Sequence, residues 1–287
     1  MLAPLTAIDP ATIGAMIEDT INAYRLSLAQ LPGAAPHMTA ESTWIECEFA
    51  GLPLHIVVQA RFSPHTVERG IEEILDHCRR RSLPLAWHVG PSSQPASLGR
   101  SLLAHGLTHD EDEPGMAIKV AGMREERLPE GLTIETVRDE DALEEWIAVW
   151  LFPVPQEIRH RYFLVLRQRG LGEQRPWRYY LGRLDGLPVV TSELFVGHGV
   201  AAVHRVVTLP EVRRRGIGSA MTRHVLREAR DWGYQVGVLT ASPFGIGSYR
   251  RIGFQEYCRF SSYEWTPDHS ATGGEGAREA MNRSSAF

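Results

Sequence analysis

The sequence lacks the features that mark membrane, secreted and disulfide-rich proteins. No apolar run approaches the ~20 residues needed to cross a bilayer, and the first residues show neither the basic stretch nor the apolar core of a secretory signal. Only three cysteines occur (Cys47, Cys78 and Cys258), and their spacing fits neither a metal site nor a disulfide framework. We therefore expect a cytoplasmic protein with reduced cysteines, no membrane partner and no metal.

An excess of positive charge is also lacking. The chain has 30 Lys and Arg against 35 Asp and Glu, a net charge of −5, and its pI is near 6.2. This balance gives no reason to expect a nucleic-acid partner. The hydrophobic fraction of 43% is ordinary for a globular protein, and 287 residues suffice for one large domain or two of ordinary size.

The most informative stretch runs from 201 to 218 and reads AAVHRVVTLPEVRRRGIG. Its apolar first half predicts a buried strand that breaks at Pro210. From Arg213 the spacing becomes Arg-x-x-Gly-x-Gly, and apolar residues at helical spacing follow. A helix N-terminus offers unpaired N–H groups and the positive end of a dipole, and glycines let a phosphate approach them. The stretch therefore predicts a pyrophosphate cradle, although it matches neither the dinucleotide loop nor the P-loop.

A second motif, SPFGIGSYRRIGF, runs from 242 to 254 and follows another predicted strand (235–241). Within it Tyr249 precedes Gly253-Phe254 by four residues. In this order and spacing the two motifs resemble the GNAT acyltransferase superfamily, over roughly residues 133 to 264. The resemblance implies binding of acetyl-CoA. It also implies an α+β fold, a mixed, mostly antiparallel twisted sheet flanked by helices, which is the acyl-CoA N-acyltransferase fold.

The predicted elements suggest two such modules in tandem. We expect a degenerate GNAT-like domain over 1–120, a linker over 121–131, a catalytic GNAT domain over 132–265 and a disordered tail over 266–287. In the first module the corresponding turn, HTVERGIEE, has one glycine and several acidic residues. Acids at a helix start would repel a pyrophosphate, so we expect no cofactor site there. The segment WHVGPSSQP is predicted to be a turn, and Asp185-Gly186 predicts a β-hairpin in the second module.

The resemblance implies a role for individual residues in holding the cofactor. The N–H groups of Val206 and Thr208 would bind the pantetheine arm along a splayed strand edge, and one of them would polarise the thioester carbonyl. Ser242 stands where many relatives carry an asparagine that bonds the pantetheine. The full cofactor-binding set is Val206, Val207, Thr208, Arg213, Arg214, Arg215, Gly216, Ile217, Gly218, Ser219, Ser242 and Tyr249.

Three residues are candidates for proton transfer. Tyr249 matches the family tyrosine that protonates the departing thiolate, and the alternative is a tyrosine that packs beside Phe254. Many relatives carry a glutamate that acts as the general base at the strand position where this chain has Ala202. Regular alternation places His204 on one strand face with Val206 and Thr208, an arrangement similar to arylalkylamine acetyltransferases.

Glu193 is the other candidate base, on the neighbouring strand. It faces with Thr191 and Phe195, and its alternative is a solvated strand face. For His204 the alternative is a hydrogen-bonded core histidine.

The leading hypothesis is an N-acetyltransferase that moves an acetyl group from acetyl-CoA to a primary amine of a small molecule by direct attack in a ternary complex. One alternative is a mycothiol-synthase-like acetyltransferase, which shares the tandem layout. Another is a non-catalytic acyl-CoA-binding or regulatory protein, suggested by the missing strand glutamate. The sequence leaves the acceptor amine, the acyl length and the oligomeric state open.

Overall fold

The computed structural model describes residues 9–31, 33–49, 52–123, 126–172 and 174–267. These residues form two compact units, and each unit is made of two separate stretches of the chain. We call residues 22–114 with 258–267 the N-unit, and residues 9–21 with 115–257 the C-unit. The predicted domain limits were contiguous in sequence, whereas these units are not. The predicted tail lies outside the described residues from 268 onward, and the predicted linker does so at 124 and 125.

The N-unit is an αβ module built on a mixed sheet. Strands β1 (Ala35–Met38), β2 (Ser42–Phe49) and β3 (Leu52–Ala60) pair antiparallel. Helix α2 (Val67–Arg81) connects β3 to β4 (Leu85–Val89), which pairs parallel to β3. The end of β11 (Gln255–Trp265) pairs antiparallel to β4. The apolar stripe of α2 packs on Val57 and Trp87 because its residues recur at helical spacing.

The N-unit contains one further helix, and two other elements have residues in both units. Helix α3 (Leu98–Ala104) lies within the N-unit. Helix α1 (Pro10–Leu26) and strand β5 (Thr108–Lys119) each contribute residues to both units. Among the described residues, no helix combines the length and the apolar character required to span a membrane.

The C-unit contains a larger sheet in the order β6-β7-β8-β9-β10-β5. All its neighbours are antiparallel except β9 and β10. Its elements are β6 (Leu132–Thr136), α4 (Glu140–Trp150), α5 (Gln156–Arg169), β7 (Trp177–Leu184), β8 (Leu187–Gly197), β9 (Val200–Thr208), α6 (Ile217–Asp231), β10 (Val236–Thr240) and α7 (Ile246–Ile252). Only the first residues of β11, up to Tyr257, belong to this unit. The predicted mixed, mostly antiparallel sheet flanked by helices is confirmed.

Local chemistry explains where several of these elements begin and turn. The Asp139 carboxylate accepts a hydrogen bond from the Ala142 N–H at 2.9 Å and caps α4. Asp185 and Gly186 adopt φ values of 50° and 84°, as a tight turn between β7 and β8 requires. The apolar face of α6, which includes Met221 and Val225, packs against residues of the sheet in one buried cluster. Helix α4 contacts β7, β8 and β9 through other residues.

Candidate functional site

Strand β9 separates from its parallel neighbour β10 partway along its length. The two strands pair only at Ala201–Gly237 and Ala202–Val238, although β9 continues to Thr208. On its other side β9 remains paired with β8 to its end, where the Leu209 N–H donates to the Val189 carbonyl at 2.9 Å. Because N–H groups alternate along a strand, those of Val206 and Thr208 point toward the open edge. An extended ligand chain can pair there as an added strand.

The N-terminus of α6 lies next to this open edge. Arg214 and Gly216 adopt left-handed φ values of 63° and 77°, and this turn delivers the chain into the helix at Ile217. Gly216 provides no side-chain cap, so the first N–H groups of the helix stay available to a ligand. A Cβ atom at Gly218 would stand 3.0 Å from the Thr208 Oγ1 atom, which is tighter than nine in ten real contacts. Any other residue at this position would require the Thr208 side chain to shift, so glycine lets the helix turn approach the strand most closely.

A cavity of about 670 Å³ opens at the meeting point of the split strand, the α6 N-terminus and α7. Eleven of the twelve predicted cofactor-binding residues line it. The exception is Arg215, which lines a separate cavity of about 270 Å³ with residues that include Glu126 and Arg223. Arg213 donates through Nε to the Thr208 carbonyl at 3.0 Å, so its guanidinium lies at the open edge. The run of three arginines thus divides between two surfaces.

Helix α7 contributes the far wall of the cavity. Tyr249 is half-buried on this helix and packs edge-on against Phe254, with the ring centroids 5.8 Å apart. The structure therefore shows the packing contact with Phe254 and also lets Tyr249 line the cavity. Ser242 is exposed at the start of the turn before α7. Phe244, which our sequence analysis did not select, is 99% exposed and lines the same cavity.

A β-bulge interrupts the regular alternation of β9. The register steps from Thr191–Val207 to Glu193–His204, so β9 has one residue more than β8 over this interval, and Arg205 adopts a φ of 51°. Val206 and Thr208 lie toward α6, whereas His204 stands directly opposite Glu193. Our expectation that His204 shares a face with Val206 and Thr208 was therefore wrong, because the bulge reverses the alternation.

Glu193 lies in a fully buried ion-pair cluster rather than on a solvated face. Its carboxylate pairs with the Arg205 guanidinium and, at 3.5 Å, with Nη1 of Arg169. Each guanidinium also lies over an indole: Arg205 stands 4.4 Å from the Trp150 ring centroid, and Arg169 stands 4.3 Å from that of Trp177. Our alternative of a solvated strand face for Glu193 was wrong.

Two tyrosines border this cluster on the same side of the sheet. Burial raises the pKa of the Tyr179 phenol, which accepts a hydrogen bond from Arg169, and burial also raises the pKa of Tyr162. Both hydroxyls thus stay protonated at neutral pH. The cluster holds two guanidinium groups and one carboxylate, so its formal charge is +1.

Sequence reasoning did not select Arg169, Arg205 or their aromatic partners, since a lone arginine in a strand or helix carries no distinctive signal. A bulge also leaves no mark in the spacing of apolar residues. The cavity and the cluster lie on opposite sides of β9. The end of the strand, from Val206 to Thr208, lines the cavity, and Arg205 belongs to the cluster. Chemically, the cavity side of β9 can hold an anionic, extended cofactor, whereas buried side chains of the cluster fill the other side.

Residues 198–257 match the family model described as acetyltransferase (GNAT) domain. This segment contains the split strand, the cradle and α7. No curated protein matches the chain in sequence.

Three solved structures illustrate the likeness in fold. A GCN5-related N-acetyltransferase from Kribbella flavida is 20% identical with a TM-score of 0.66, and the match covers 87% of this chain and 95% of that chain. One from Sphaerobacter thermophilus is 19% identical with a TM-score of 0.60, over 93% and 96%. A tandem GNAT protein from the clavulanic acid biosynthesis pathway is 16% identical with a TM-score of 0.60, over 94% and 99%. At these identities the likeness establishes the fold.

Proposed function

We propose that the chain is an acetyl-CoA-dependent N-acetyltransferase of the GNAT superfamily, because a GNAT domain model matches residues 198–257 and the fold resembles that of GNAT proteins. It transfers the acetyl group to a primary amine of a small molecule by direct attack in a ternary complex. The single observation that carries this proposal is the glycine-tight cradle beside the split strand. Gly218 lets α6 approach Thr208 closely, and the open edge and the arginines suit a pantetheine arm and a pyrophosphate.

The cofactor would lie along the cavity of the C-unit. The N–H groups of Val206 and Thr208 would bind the pantetheine amides, and one would donate to the thioester oxygen as negative charge develops on it. The N–H groups of residues 217–219, together with Arg213 and Arg214, would hold the pyrophosphate. Ser242 would offer its hydroxyl to the pantetheine.

Transfer requires one new bond, one broken bond and two proton movements. The amine nitrogen bonds to the acetyl carbon, and the carbon–sulfur bond breaks. Tyr249 would give its phenolic proton to the departing thiolate, since a phenol with an ordinary pKa near ~10 can protonate a thiolate whose conjugate acid lies near ~8.5 or above. The amine must lose a proton before or during its attack.

We propose His204 as the group that removes the amine proton, through a water molecule. It stands opposite Glu193, on the face of β9 that Val206 and Thr208 do not share. Glu193 suits this role less well because both of its oxygens engage buried arginines. We assign Glu193 the positioning of the bulge that presents His204.

The first test is calorimetric titration of acetyl-CoA into the full chain. We expect one site per chain. A panel of primary amines then follows, with CoA release as the readout. The absence of acetyl-CoA binding would refute the enzyme proposal.

The second test is Tyr249→Phe, with Tyr257→Phe as the matched control. Tyr257 bonds Gln255 on β11 outside the cavity. We expect kcat to fall about 10²- to 10⁴-fold in Tyr249→Phe and acetyl-CoA affinity to stay unchanged. Equal turnover in the two variants would exclude Tyr249 as the acid.

The missing glutamate at Ala202 favours a second candidate, a non-catalytic acyl-CoA-binding or regulatory protein. Tight acetyl-CoA binding without turnover on any amine of a wide panel would support it. A mycothiol-synthase-like activity is a narrower form of the main proposal. Substrate tests with thiol-cofactor precursors that carry an amine would identify it.

A further inference from the structure

Three histidines surround one carboxylate oxygen in the N-unit. The Glu46 Oε2 atom lies 3.0 Å from Nε2 of His77, 3.6 Å from Nε2 of His37 and 3.9 Å from Nε2 of His55. The ligand atoms of His37, Glu46 and His77 all lie within 4.8 Å of one another. We call these four residues the His₃Glu cluster.

The cluster assembles from four separate elements. His37, Glu46 and His55 lie on β1, β2 and β3, and His77 lies on α2. Glu46 and His55 are directly opposite each other across β2 and β3, so their side chains share one face of the sheet. His37 pairs with Trp44, which is on this face because it is two residues from Glu46. The third turn of α2 brings His77 to the same point.

Hydrogen bonding accounts for only one of these three contacts. The His77–Glu46 distance fits a hydrogen bond, whereas the other two distances exceed the range of one. His55 is 1% exposed, and neither of its ring nitrogens has a hydrogen-bond partner among the described residues. The same holds for the buried Nε2 of His37. Buried polar nitrogens without partners are costly, so their convergence on one point requires an explanation.

We propose that the His₃Glu cluster binds a divalent transition-metal ion of the zinc type. A tetrahedral zinc ion binds imidazole nitrogens and carboxylate oxygens at about 2.0–2.2 Å, so its ligand atoms stand roughly 3.3 Å apart. The separations of 3.0, 3.6 and 3.9 Å around Glu46 bracket this value. His37, Glu46 and His77 supply three ligand atoms within 4.8 Å of one another, and His55, 3.9 Å from the Glu46 Oε2 atom, is the candidate for a fourth ligand.

Neighbouring side chains hold the ligands in place. The Arg81 guanidinium pairs with the other carboxylate oxygen of Glu46, which leaves Oε2 for the ion. Trp44 stacks flat on the His37 ring at 3.7 Å between centroids and meets His77 edge-on at 4.9 Å. His37 and His77 also line a cavity of about 410 Å³, which gives an ion a path to the cluster.

An ion at this point would fasten α2 to three strands of the N-unit. The site belongs to the unit for which our sequence analysis expected no cofactor and no metal. Its ligands are too dispersed in sequence to form a recognisable spacing.

The test uses the full chain without a histidine tag, freed of metal by chelator, and titrated with ZnCl₂ in a calorimeter. We expect one high-affinity ion per chain and a rise in the melting temperature. His77→Ala and Glu46→Gln should each weaken zinc affinity at least 100-fold. His65→Ala removes an exposed histidine of the same unit outside the cluster and should leave affinity unchanged.

Two further measurements, circular dichroism and the absorption spectrum of bound Co²⁺, complete the test. In chelator, Glu46→Gln should retain the circular dichroism of the parent chain, which separates ligand loss from misfolding. Co²⁺ should give the visible absorption of a four-coordinate ion in the parent chain but not in His77→Ala. An absence of binding, or binding that His77→Ala and Glu46→Gln leave intact, would overturn the proposal.

Discussion

The chain builds a parallel strand–helix–strand unit twice, as β3–α2–β4 in the N-unit and as β9–α6–β10 in the C-unit. In each unit the two parallel strands pair over only a few residues. The first strand then continues without its parallel neighbour, while it remains paired with the antiparallel strand on its other side. The N-unit strands pair at three positions, and the C-unit strands pair at two. Each unit therefore creates the same problem, an unpaired strand edge beside a helix N-terminus. They solve it differently.

In the N-unit the protein pairs this edge with its own chain. The segment 90–95 turns after β4, and Gln94 makes two backbone hydrogen bonds of 3.0 Å, to Ala60 and to Phe62. The Gln59 side chain adds a bond to the Ser92 hydroxyl at 3.2 Å. The turn predicted for WHVGPSSQP is present, and it also fills the position where a ligand chain lies in our proposal for the C-unit.

The helix N-terminus of the N-unit likewise has an internal anion. The Glu41 carboxylate accepts hydrogen bonds from the Thr66 hydroxyl at 2.7 Å and from the Ser63 N–H at 3.2 Å. The first turn of α2 also carries Glu68, whereas the first turn of α6 has no acidic residue. Two copies of one topology can thus differ in ligand capacity through one short segment and one carboxylate.

The largest predicted effect concerns what holds the open strand of the C-unit. The end of β9 lacks β10 as a neighbour and depends on β8, to which the buried Glu193–Arg205 pair joins it. Glu193→Gln would remove the carboxylate that pairs with two buried guanidinium groups, so we expect a loss of about 3–5 kcal/mol in the free energy of unfolding. Urea denaturation measures it.

Glu157→Gln is the matched control for this prediction. Glu157 pairs with Arg161 on the exposed surface of α5, and such pairs contribute about 0.2–1 kcal/mol. If the two variants lost equal stability, the buried cluster would not be what holds β9 in position.

The second prediction tests the space between α6 and β9. Gly218→Glu introduces a Cβ atom 3.0 Å from the Thr208 Oγ1 and a negative charge at the proposed pyrophosphate site. We expect acetyl-CoA affinity to fall at least 100-fold, about 2.7 kcal/mol or more. Calorimetry measures it, and circular dichroism checks the fold. Unchanged affinity would place the cofactor elsewhere.

The third prediction divides the arginine run that the sequence presents as one motif. Arg213 lies at the open edge, and Arg215 lines a different cavity. Arg213→Ala should weaken acetyl-CoA binding about 10-fold, since a hydrogen bond from a charged group contributes roughly 1.5–3 kcal/mol. Arg215→Ala should change affinity less than about two-fold. Equal losses would mean that long-range charge, rather than position, attracts the cofactor.

Much of the C-unit could be predicted because its signals are local. The Arg-x-x-Gly-x-Gly turn, the Asp185-Gly186 hairpin and the cap at Asp139 each depend on residues within one turn of chain. The apolar spacing that follows Gly216 likewise identifies α6. Such features need no knowledge of what packs against them.

The features that sequence reasoning missed depend on contacts between distant residues. The bulge at Arg205 follows from how β9 aligns with β8, and it moved His204 to the other face. The ion-pair cluster joins α5, β8 and β9. The N-unit edge is closed by a loop more than thirty residues away from β3. No pattern within a short window encodes these pairings.

The smallest predicted effect tests the anion at the N-terminus of α2. Hydrogen bonds from Thr66 and from the Ser63 N–H hold the pKa of Glu41 below its ordinary value. The ionised carboxylate thus stabilises the fold above the unfolded pKa near ~4.3, and this contribution disappears as the pH falls through the lower folded value. Glu41→Gln should lower the melting temperature at pH 7, and the difference from the parent chain should shrink below about pH 4.

The same variant also tests which of two features prevents cofactor binding in the N-unit: the Glu41 carboxylate or the segment 90–94 paired with the strand edge. Glu73→Gln, on the exposed side of α2, is the control and should change the melting temperature at pH 7 less than Glu41→Gln does. Acetyl-CoA should still bind at one site per chain in Glu41→Gln, because residues 90–94 continue to occupy the strand edge. A second acetyl-CoA site in this variant would show that the Glu41 carboxylate alone prevents the N-unit from binding the cofactor. Unchanged stoichiometry makes the paired segment sufficient, since an extended ligand cannot compete with a strand edge that the chain already fills.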